Sequence, residues 1–269
     1  MSELPTAFYH LDDGQLHPSA LTTGPWDVRF QHGGPPCALL ARALERHGRA
    51  DRPESEIWNI ARITIDLMRP IPMEPLTVTA STVRKGRSAE WLEAKLFAGE
   101  RMLASANAVQ LRVESVEVTE PNAVPDAPPP PPEQADSFAF PFFPSEVGYH
   151  RGVEIRFVEG EWSKGPVSVW MRSLKPLVDG EQASGLERLL LLADATNGLA
   201  PTLPIQSFTY VNPDLTIHLQ RLPDSEWLGF RARSIPQPTG IGLVQGQLFD
   251  AQGEIGRCAQ SLLIRARDP

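Results

Sequence analysis

The stretch TIDLMRPIP at residues 64–72 recurs 152 residues later as TIHLQRLPD at 216–224. Thr, Ile, Leu and Arg stand at the same positions in both copies. With this offset, residues 64–98 show nine identities in 35 ungapped positions. Composition alone would give about two or three, so the match indicates an internal repeat. The sequence therefore predicts two copies of one structural unit within 269 residues.

A proline-rich segment lies between the two copies. Seven of the 27 prolines fall between Pro121 and Pro132, within PNAVPDAPPPPPEQ at 121–134. Proline has no backbone N–H to give to a helix or a sheet, and consecutive prolines form a semi-rigid spacer. We therefore expect an N-terminal domain at 1–120, a linker at 121–134 and a C-terminal domain at 135–269. A surface loop inside one domain is the alternative for this segment.

Each copy contains one candidate helix and several candidate strands. Residues 33–36, GGPP, precede CALLARALERHGR at 37–49, and prolines are favoured in the first turn of a helix. Ser184 can cap GLERLLLLADAT at 185–196, with residues 197–198, Asn-Gly, as its stop. Alternation of apolar and polar residues then predicts strands at 63–67, 76–80 and 215–219. One helix followed by antiparallel strands, twice over, predicts an α+β fold in which each sheet wraps around a helix.

Composition excludes several classes of protein. The chain has 25 Lys and Arg against 33 Asp and Glu, a formal charge of −8, which argues against nucleic-acid binding. Cys37 and Cys258 are too few for a disulfide scaffold and lack the spacing of a metal site. The N-terminal sequence MSELPTAFYHLDDG does not read as a signal peptide, and no stretch approaches 18 apolar residues. We expect a reduced, cytoplasmic protein with no membrane span and no bound metal.

Four further segments occur in a fixed order: HGGPP at 32–36, LMRP at 67–70, NPDLTIH at 212–218 and AQS at 259–261. In this order and spacing the sequence resembles the double-hotdog acyl-CoA thioesterases of the TesB type and their thioesterase-like relatives. The resemblance covers roughly residues 15–115 and 165–267. It implies a tandem hotdog fold, an acyl-CoA substrate, a place in lipid metabolism and no cofactor.

The resemblance also implies a catalytic set in the C-terminal copy. The family has an Asp near the end of the helix, a Thr on the next strand and a Gln on the last strand, which together orient a water against the thioester carbonyl. Asp194 matches the Asp and Gln260 matches the Gln. Asn212 stands where Thr is expected, and it offers an amide in place of a hydroxyl. A non-catalytic acyl-CoA or fatty-acyl binding protein of the same fold is therefore the alternative to a thioesterase.

Asp194 and Gln260 also stand out without the resemblance. Asp194 follows four leucines, and partial burial would make its carboxylate a better base; a hydrogen bond from Thr196 or Asn197 is the structural alternative. Gln260 shares its strand face with apolar neighbours, and a buried amide needs partners, so a site role and a structural role are both open. Counting back from the last Arg of each copy pairs Gln260 with Asn107. The first helix has no acid matching Asp194, which predicts one site per chain.

His32, Gly33 and Gly34 would form the other half of that site and bind the substrate. Glycines at a helix start let a ligand approach the backbone, and free N–H groups there can stabilise a thioester oxyanion. A tight turn into the helix is the alternative for the glycines, and a surface position is the alternative for His32.

Other motifs carry weaker signals. Cys37 near a helix start could be a nucleophile, but a small core residue is the better interpretation because the sequence places no partner beside it. GIGLVQG at 240–246 has the glycines of a dinucleotide loop, yet the repeat assigns it to a strand. Hydratase chemistry would need an Asp and a His a few residues apart in one loop, and we find no such pair.

Exposed sheet edges predict a homo-oligomer. Six arginines could include a phosphate clamp for CoA or could mark solvated strand ends: Arg69, Arg84, Arg87, Arg221, Arg231 and Arg233.

Overall fold

The computed structural model describes residues 4–50, 52, 53, 55–117 and 126–267. Its helices are α1 (Gly34–Arg49), α2 (Tyr149–Gly152), α3 (Gly185–Ala193) and α4 (Thr196–Leu199). Its strands are β1 (Tyr9–Asp12), β2 (Gln15–Pro18), β3 (Trp58–Leu67), β4 (Thr77–Arg84), β5 (Ala89–Ala98), β6 (Arg101–Arg112), β7 (Val153–Glu159), β8 (Val167–Ser173), β9 (Phe208–Val211), β10 (Asp214–Leu219), β11 (Leu228–Pro236), β12 (Ile241–Asp250) and β13 (Gly253–Ala266).

One antiparallel sheet of 11 strands runs through both halves of the chain. Its order is β4-β5-β6-β3-β10-β13-β12-β11-β8-β7, with β9 beside β13, while β1 and β2 form a separate hairpin. The two copies of the repeat meet in the middle, where β3 pairs with β10 and Thr64 stands opposite Thr216. Their hydroxyl groups lie 3.2 Å apart. The repeated segment is therefore the joint between the two halves.

The two long helices pack against each other on one side of the sheet. Helix α1 carries prolines in its first turn and three basic residues in its last, where cations interact favourably with the helix dipole. It contacts α3 along its length and strands β3 to β6. Ser184 caps α3 by accepting a 3.1 Å hydrogen bond from the Glu187 N–H. Each fully buried leucine on α3 contributes about 1.5–3 kcal/mol by burial: Leu186, Leu189, Leu190 and Leu192.

The second helix ends earlier than the sequence predicts. Helix α3 stops at Ala193 and Asp194 is its C-cap, while Asn197 and Gly198, the predicted stop, lie inside α4. The Thr196 hydroxyl donates a 2.6 Å hydrogen bond to the Ala193 carbonyl, so a side chain occupies an acceptor that the helix ladder would use. In addition, β7 and β8 precede α3, so the C-terminal half is not one helix followed by strands.

The last part of the proline-rich segment packs against the C-terminal half of the sheet. Residues 121–125 of the predicted linker lie outside the described residues. The Trp170 indole N–H donates a 2.7 Å hydrogen bond to the Pro130 carbonyl. The expectation that the segment forms no helix is wrong for Pro132–Gln134, which make a short 3₁₀ turn. The first position of a helix tolerates proline because its N–H would have no partner there.

Candidate active site

Asp194 lies where the end of α3 meets the start of α1. Only 4% of the residue is exposed. A Cβ atom at Gly33 would stand 2.7 Å from both carboxylate oxygens of Asp194, so glycine is required for this close approach. Among the described residues, the one basic side chain within salt-bridge distance of the carboxylate is His32. The turn after α3 thus places a nearly unexposed carboxylate directly on the backbone of the α1 start.

Two asparagines hold the Asp194 carboxylate from the other side. Asn212 Nδ2 donates a 2.7 Å hydrogen bond to Asp194 Oδ1. Asn197 Nδ2 in turn donates over 2.9 Å to Asn212 Oδ1, which fixes the orientation of the Asn212 amide. Neither Thr196 nor Asn197 bonds the Asp194 side chain, so the structural alternative stated for Asp194 is wrong. The sequence did not indicate Asn197 as a site residue, and its only signal is an amide one helical turn after the acid.

Gln260 reaches the same place from strand β13. Its Nε2 donates a 3.1 Å hydrogen bond to the Asp194 backbone carbonyl. The residue is 1% exposed, and its Oε1 is buried without a hydrogen-bond partner in the described part of the chain. Buried acceptors are normally satisfied, so Oε1 calls for a donor that the protein itself does not supply. The three residues predicted as catalytic, Asp194, Asn212 and Gln260, therefore lie together.

His32 lies against Asp194 and is not a surface residue. Its side chain is 11% exposed, and its Nδ1 lies 3.2 Å from Asp194 Oδ2. The ring stacks on Tyr149 with 3.7 Å between centroids and 3° between planes. Tyr149 is itself anchored, because its hydroxyl donates a 3.0 Å hydrogen bond to the Leu191 carbonyl. Burial lowers the pKa of His32, and the charge of Asp194 acts in the opposite direction.

The start of α1 offers fewer free N–H groups than we predicted. The Gly34 N–H donates to His32 Nδ1 over 3.0 Å, and Pro35 and Pro36 have no N–H. The Gly33 N–H has no acceptor among the described backbone and side-chain groups. In this arrangement Gly33, not Gly34, is the available donor for an oxyanion.

The register of the sheet corrects the counterpart of Gln260 in the first half. Thr64 pairs with Asn107, and Thr216 pairs with Ala259. Asn107 therefore corresponds to Ala259, and Gln260 corresponds to the buried Ala108. The predicted recurrence of a polar residue at this position is wrong, which leaves the first half without either an acid or an amide at the matching positions.

Three of the rival motifs lie in the core, within a strand and at a strand end. Burial, together with the nearby charge of Asp194, raises the pKa of the Cys37 thiol well above its usual value, as suits a core residue. Gly242 and Gly246 lie within strand β12. Arg221 pairs with Asp250 at a strand end. Within the described ranges, no group of three or more His, Cys, Asp or Glu could hold a metal ion, and no helix is long and apolar enough to cross a membrane.

Two family models match this chain, one in each half. Residues 22–113 match the model of the acyl-CoA thioesterase N-terminal domain, and residues 121–264 match that of the acyl-CoA thioesterase C-terminal domain. The chain belongs to the acyl-CoA thioesterase family. Together the two matches cover both halves of the repeat, and they identify the chain as a thioester hydrolase.

Solved structures share the fold of this acyl-CoA thioesterase family member. A hot dog fold protein of unknown function from Alicyclobacillus acidocaldarius is 19% identical, with a TM-score of 0.67 over 96% of this chain and 95% of that one. The tesB protein of Mycobacterium avium subs paratuberculosis is 18% identical, with a TM-score of 0.64 over 93% and 92%. The acyl-CoA thioesterase II TesB2 of Mycobacterium marinum is 18% identical, with a TM-score of 0.63 over 90% and 94%. No curated protein matches.

Proposed function

We propose that this thioesterase is a double hotdog that hydrolyses acyl-CoA by direct attack of a water held between Asp194 and Gln260. The observation that carries the proposal is the buried Oε1 of Gln260, which has no partner among the described residues. The same amide bonds the backbone of Asp194, whose carboxylate has no lysine or arginine within salt-bridge distance in the described chain. Both groups accept hydrogen bonds, and a water molecule has two O–H groups to donate. Asp194 and Gln260 are joined through the Asp194 backbone carbonyl, so they form one acceptor pair.

The reaction then needs one base and one proton relay. The water oxygen bonds to the thioester carbon while its proton passes to the Asp194 carboxylate. The C–S bond breaks when the tetrahedral intermediate collapses, and the proton on Asp194 returns to the CoA thiolate that leaves. Asn212 keeps the carboxylate oriented, because its Nδ2 bonds Oδ1 and leaves Oδ2 toward His32. Its amide performs this holding role without a hydroxyl.

His32 and Gly34 supply a second element of the mechanism. As a neutral acceptor, His32 Nδ1 binds the Gly34 N–H; with a proton it donates to Asp194 Oδ2 instead. The two contacts are alternatives because Nδ1 has a single position for a hydrogen or a lone pair. When the proton that Asp194 takes from the water moves on to Nδ1, the Gly34 N–H is freed and joins the Gly33 N–H as a donor to the developing oxyanion. The proton then returns through Asp194 to the leaving thiolate.

We further propose how the chain is divided into domains and how it assembles. The two hotdogs comprise about residues 1–120 and 135–269, and the proline-rich segment at 121–134 connects them. We also propose a cytoplasmic homo-oligomer: β4 and β7 end the sheet path, and an open sheet edge offers unpaired backbone groups to a second chain. Light scattering of the purified protein gives the oligomeric mass, and a monomer would contradict this part of the proposal.

The activity is tested with acyl-CoAs of increasing chain length and a thiol reagent that reports released CoA. We expect the wild type to hydrolyse at least one of them and Gln260→Leu to lose about tenfold or more in kcat, since it removes one acceptor of the water. Gln110→Leu is the matched control, because Gln110 is also a buried strand glutamine but bonds Glu90 in the first half. Equal activity of Gln260→Leu and wild type would contradict the proposed water site. Calorimetry that shows acyl-CoA binding without product would select the non-catalytic alternative.

A further inference from the structure

A groove of about 510 Å³ lies beside α3 on the side of the β8–α3 connection. This volume falls in the range of small-molecule sites. Its middle is apolar, with Leu177, Ala183 and Leu191 among its lining residues. Its charged members include Lys175 and Arg188. The groove thus combines an apolar channel with cationic groups, and none of its residues belongs to the catalytic set.

Polar groups in this groove lack partners. Glu187 is 9% exposed, and its carboxyl makes no hydrogen bond or ion pair with any described residue. Arg188 Nε is buried and unbonded within the described chain, while its two terminal nitrogens donate to the Ala183 and Ser225 carbonyls. Lys175 Nζ forms no ion pair with a residue that the structure describes. Lys175 is half-buried, but Glu187 and Arg188 Nε are buried, and unpartnered buried polar groups are rare in folded proteins and point to a ligand with its own donors and acceptors.

The charge in the groove is net positive despite two carboxyl groups. Glu181 is neutralised by Arg42, which donates two hydrogen bonds of 2.7 and 2.8 Å, and by Arg46. Burial, followed by the charge of Glu45, raises the pKa of Glu187 to about 7, so this group is only partly ionised at neutral pH. The charges of Lys175 and Arg188 are therefore not cancelled, which favours an anionic group at that end of the groove.

The groove and the proposed catalytic carboxylate lie along the same helix, α3, and the turn after it. Glu187, Leu191 and Asp194 are spaced by four and three residues, so they share one face of the helix and the turn that continues it. Seven residues of helix correspond to about 10 Å. The pantetheine arm of CoA has the length of about four extended residues, roughly 15 Å, from the thioester sulfur to the first phosphate. A thioester at Asp194 would thus bring that phosphate near Lys175 and Arg188.

We propose that this groove holds the pantetheine arm of the substrate, with the CoA diphosphate at Lys175 and Arg188. The proposal rests on the thioesterase function and adds the direction from which CoA enters. The two amides of pantetheine supply N–H and C=O groups to Glu187, and its methylene and methyl groups pack in the apolar middle of the groove. The acyl group then lies on the other side of Asp194.

The proposal is tested by titrating free CoA into the protein, a measurement that needs no turnover. Lys175→Glu should weaken CoA binding about tenfold or more, because it replaces an attraction to the diphosphate by a repulsion. Lys164→Glu is the matched control: this lysine is exposed in the β7–β8 turn, outside the groove, and should bind CoA like wild type. A second variant, Ala183→Trp, fills the groove and should weaken CoA and pantetheine alike.

Kinetics with a truncated substrate separates the two proposals. Lys175→Glu should raise KM for an acyl-CoA about tenfold and leave kcat/KM for the matching acyl-N-acetylcysteamine thioester, which has no phosphate, at the wild-type value. If Lys175→Glu and Lys164→Glu bind CoA equally, the groove assignment is overturned while hydrolysis stands. If CoA binding responds as expected but no thioester is hydrolysed, the groove stands and the proposed chemistry fails.

Discussion

Charged side chains at the two ends of the α1–α3 helix pair have different kinds of partner. Where α1 begins, Asp194 is held by amides and an imidazole, without a lysine or arginine among the described residues. At the other end, Arg42 pairs with Glu181 through two hydrogen bonds, and Ser184 donates to Glu45.

This difference distinguishes the proposed reactive site from a structural ion-pair cluster. An ion pair with two hydrogen bonds leaves little capacity to accept another proton, because its lone pairs are already in use. A carboxylate bonded only by neutral donors keeps lone pairs for a water molecule. The helix pair thus holds Asp194 by neutral donors at one end and Glu181 by arginines at the other.

The largest expected effect follows from removing the base. Asp194→Asn keeps the shape of the side chain and should lower kcat about 10²–10⁴-fold, the usual contribution of a general base. Asp179→Asn is the matched control, because Asp179 is an exposed acid that pairs with His10, and it should retain wild-type kcat. Steady-state hydrolysis of an acyl-CoA gives both values. Comparable activity of the two variants would remove the distinction between the helix ends.

Alanine at the two helix starts should separate activity from stability. A Cβ at Gly33 would meet the Asp194 carboxylate, whereas a Cβ at Gly185 would stand 2.2 Å from the Pro223 carbonyl oxygen. Gly33→Ala should therefore lower kcat about tenfold or more, as displacement of a catalytic group does. Gly185→Ala should lower the melting temperature with a smaller change in kcat per folded molecule. Calorimetric melting and kinetics on both variants test this, and a reversed pattern would contradict the assignment.

At the structural end, Arg42→Met should destabilise the fold and spare the chemistry. The substitution leaves Glu181 with Arg46 as its remaining partner. We expect a loss of about 1–3 kcal/mol in the free energy of unfolding, below the cost of a fully unpaired buried charge. Urea unfolding measures the loss, and kcat of the folded variant should stay near the wild-type value. A selective fall in kcat with unchanged stability would show that this end also serves the reaction.

Glu187 and Glu181, both at the Arg42 end of the helix pair, should respond differently to pH, with a smaller effect on stability. The pKa of Glu187 is raised to about 7, so the folded state favours its protonated form and this group costs stability as pH rises from about 4.5 to 7. Glu187→Gln should be about 1–3 kcal/mol more stable than wild type above pH 7, with the gap closing toward pH 4.5.

Glu181→Gln is the control, because its effect on the free energy of unfolding should have the opposite sign. Hydrogen bonds from Arg42 lower the pKa of Glu181, so its stabilisation is present above the usual pKa of a glutamate and is lost in acid. This variant should be less stable than wild type at neutral pH and should approach it as pH falls. Urea unfolding at a series of pH values gives both curves, and equal slopes for the two variants would contradict the charge assignment.

The sequence predicted the repeat, and the structure pairs the two repeated strands with each other. Three of the nine identities, at 64, 65 and 67, lie in β3, which pairs with β10 in the middle of the sheet. The counterpart predicted for Gln260 was wrong, because counting back from the last Arg of each copy shifts the alignment by one residue. A shift of one residue moves a side chain to the other face of a sheet, which is why Asn107 is exposed and its neighbour Ala108 is buried.

The predicted site residues lie together, but their supporting groups could not be found from sequence. Asp194, Asn212 and Gln260 are brought into contact as expected. The roles of Asn197 and Tyr149 depend on the short helices α4 and α2, whose positions follow from packing and not from a local pattern. The use of the Gly34 N–H by His32 likewise depends on a ring orientation that tertiary contacts set.

Direct attack by water is tested most directly by a single turnover in H₂¹⁸O with enzyme in excess over acyl-CoA. If the water between Asp194 and Gln260 attacks the thioester carbon, the carboxylate product of the first turnover carries one ¹⁸O. Peptide mass spectrometry of the enzyme should then find no ¹⁸O in Asp194. Label in the Asp194 side chain, with unlabelled product, would show an acyl-enzyme intermediate on this carboxylate and would contradict its role as a base.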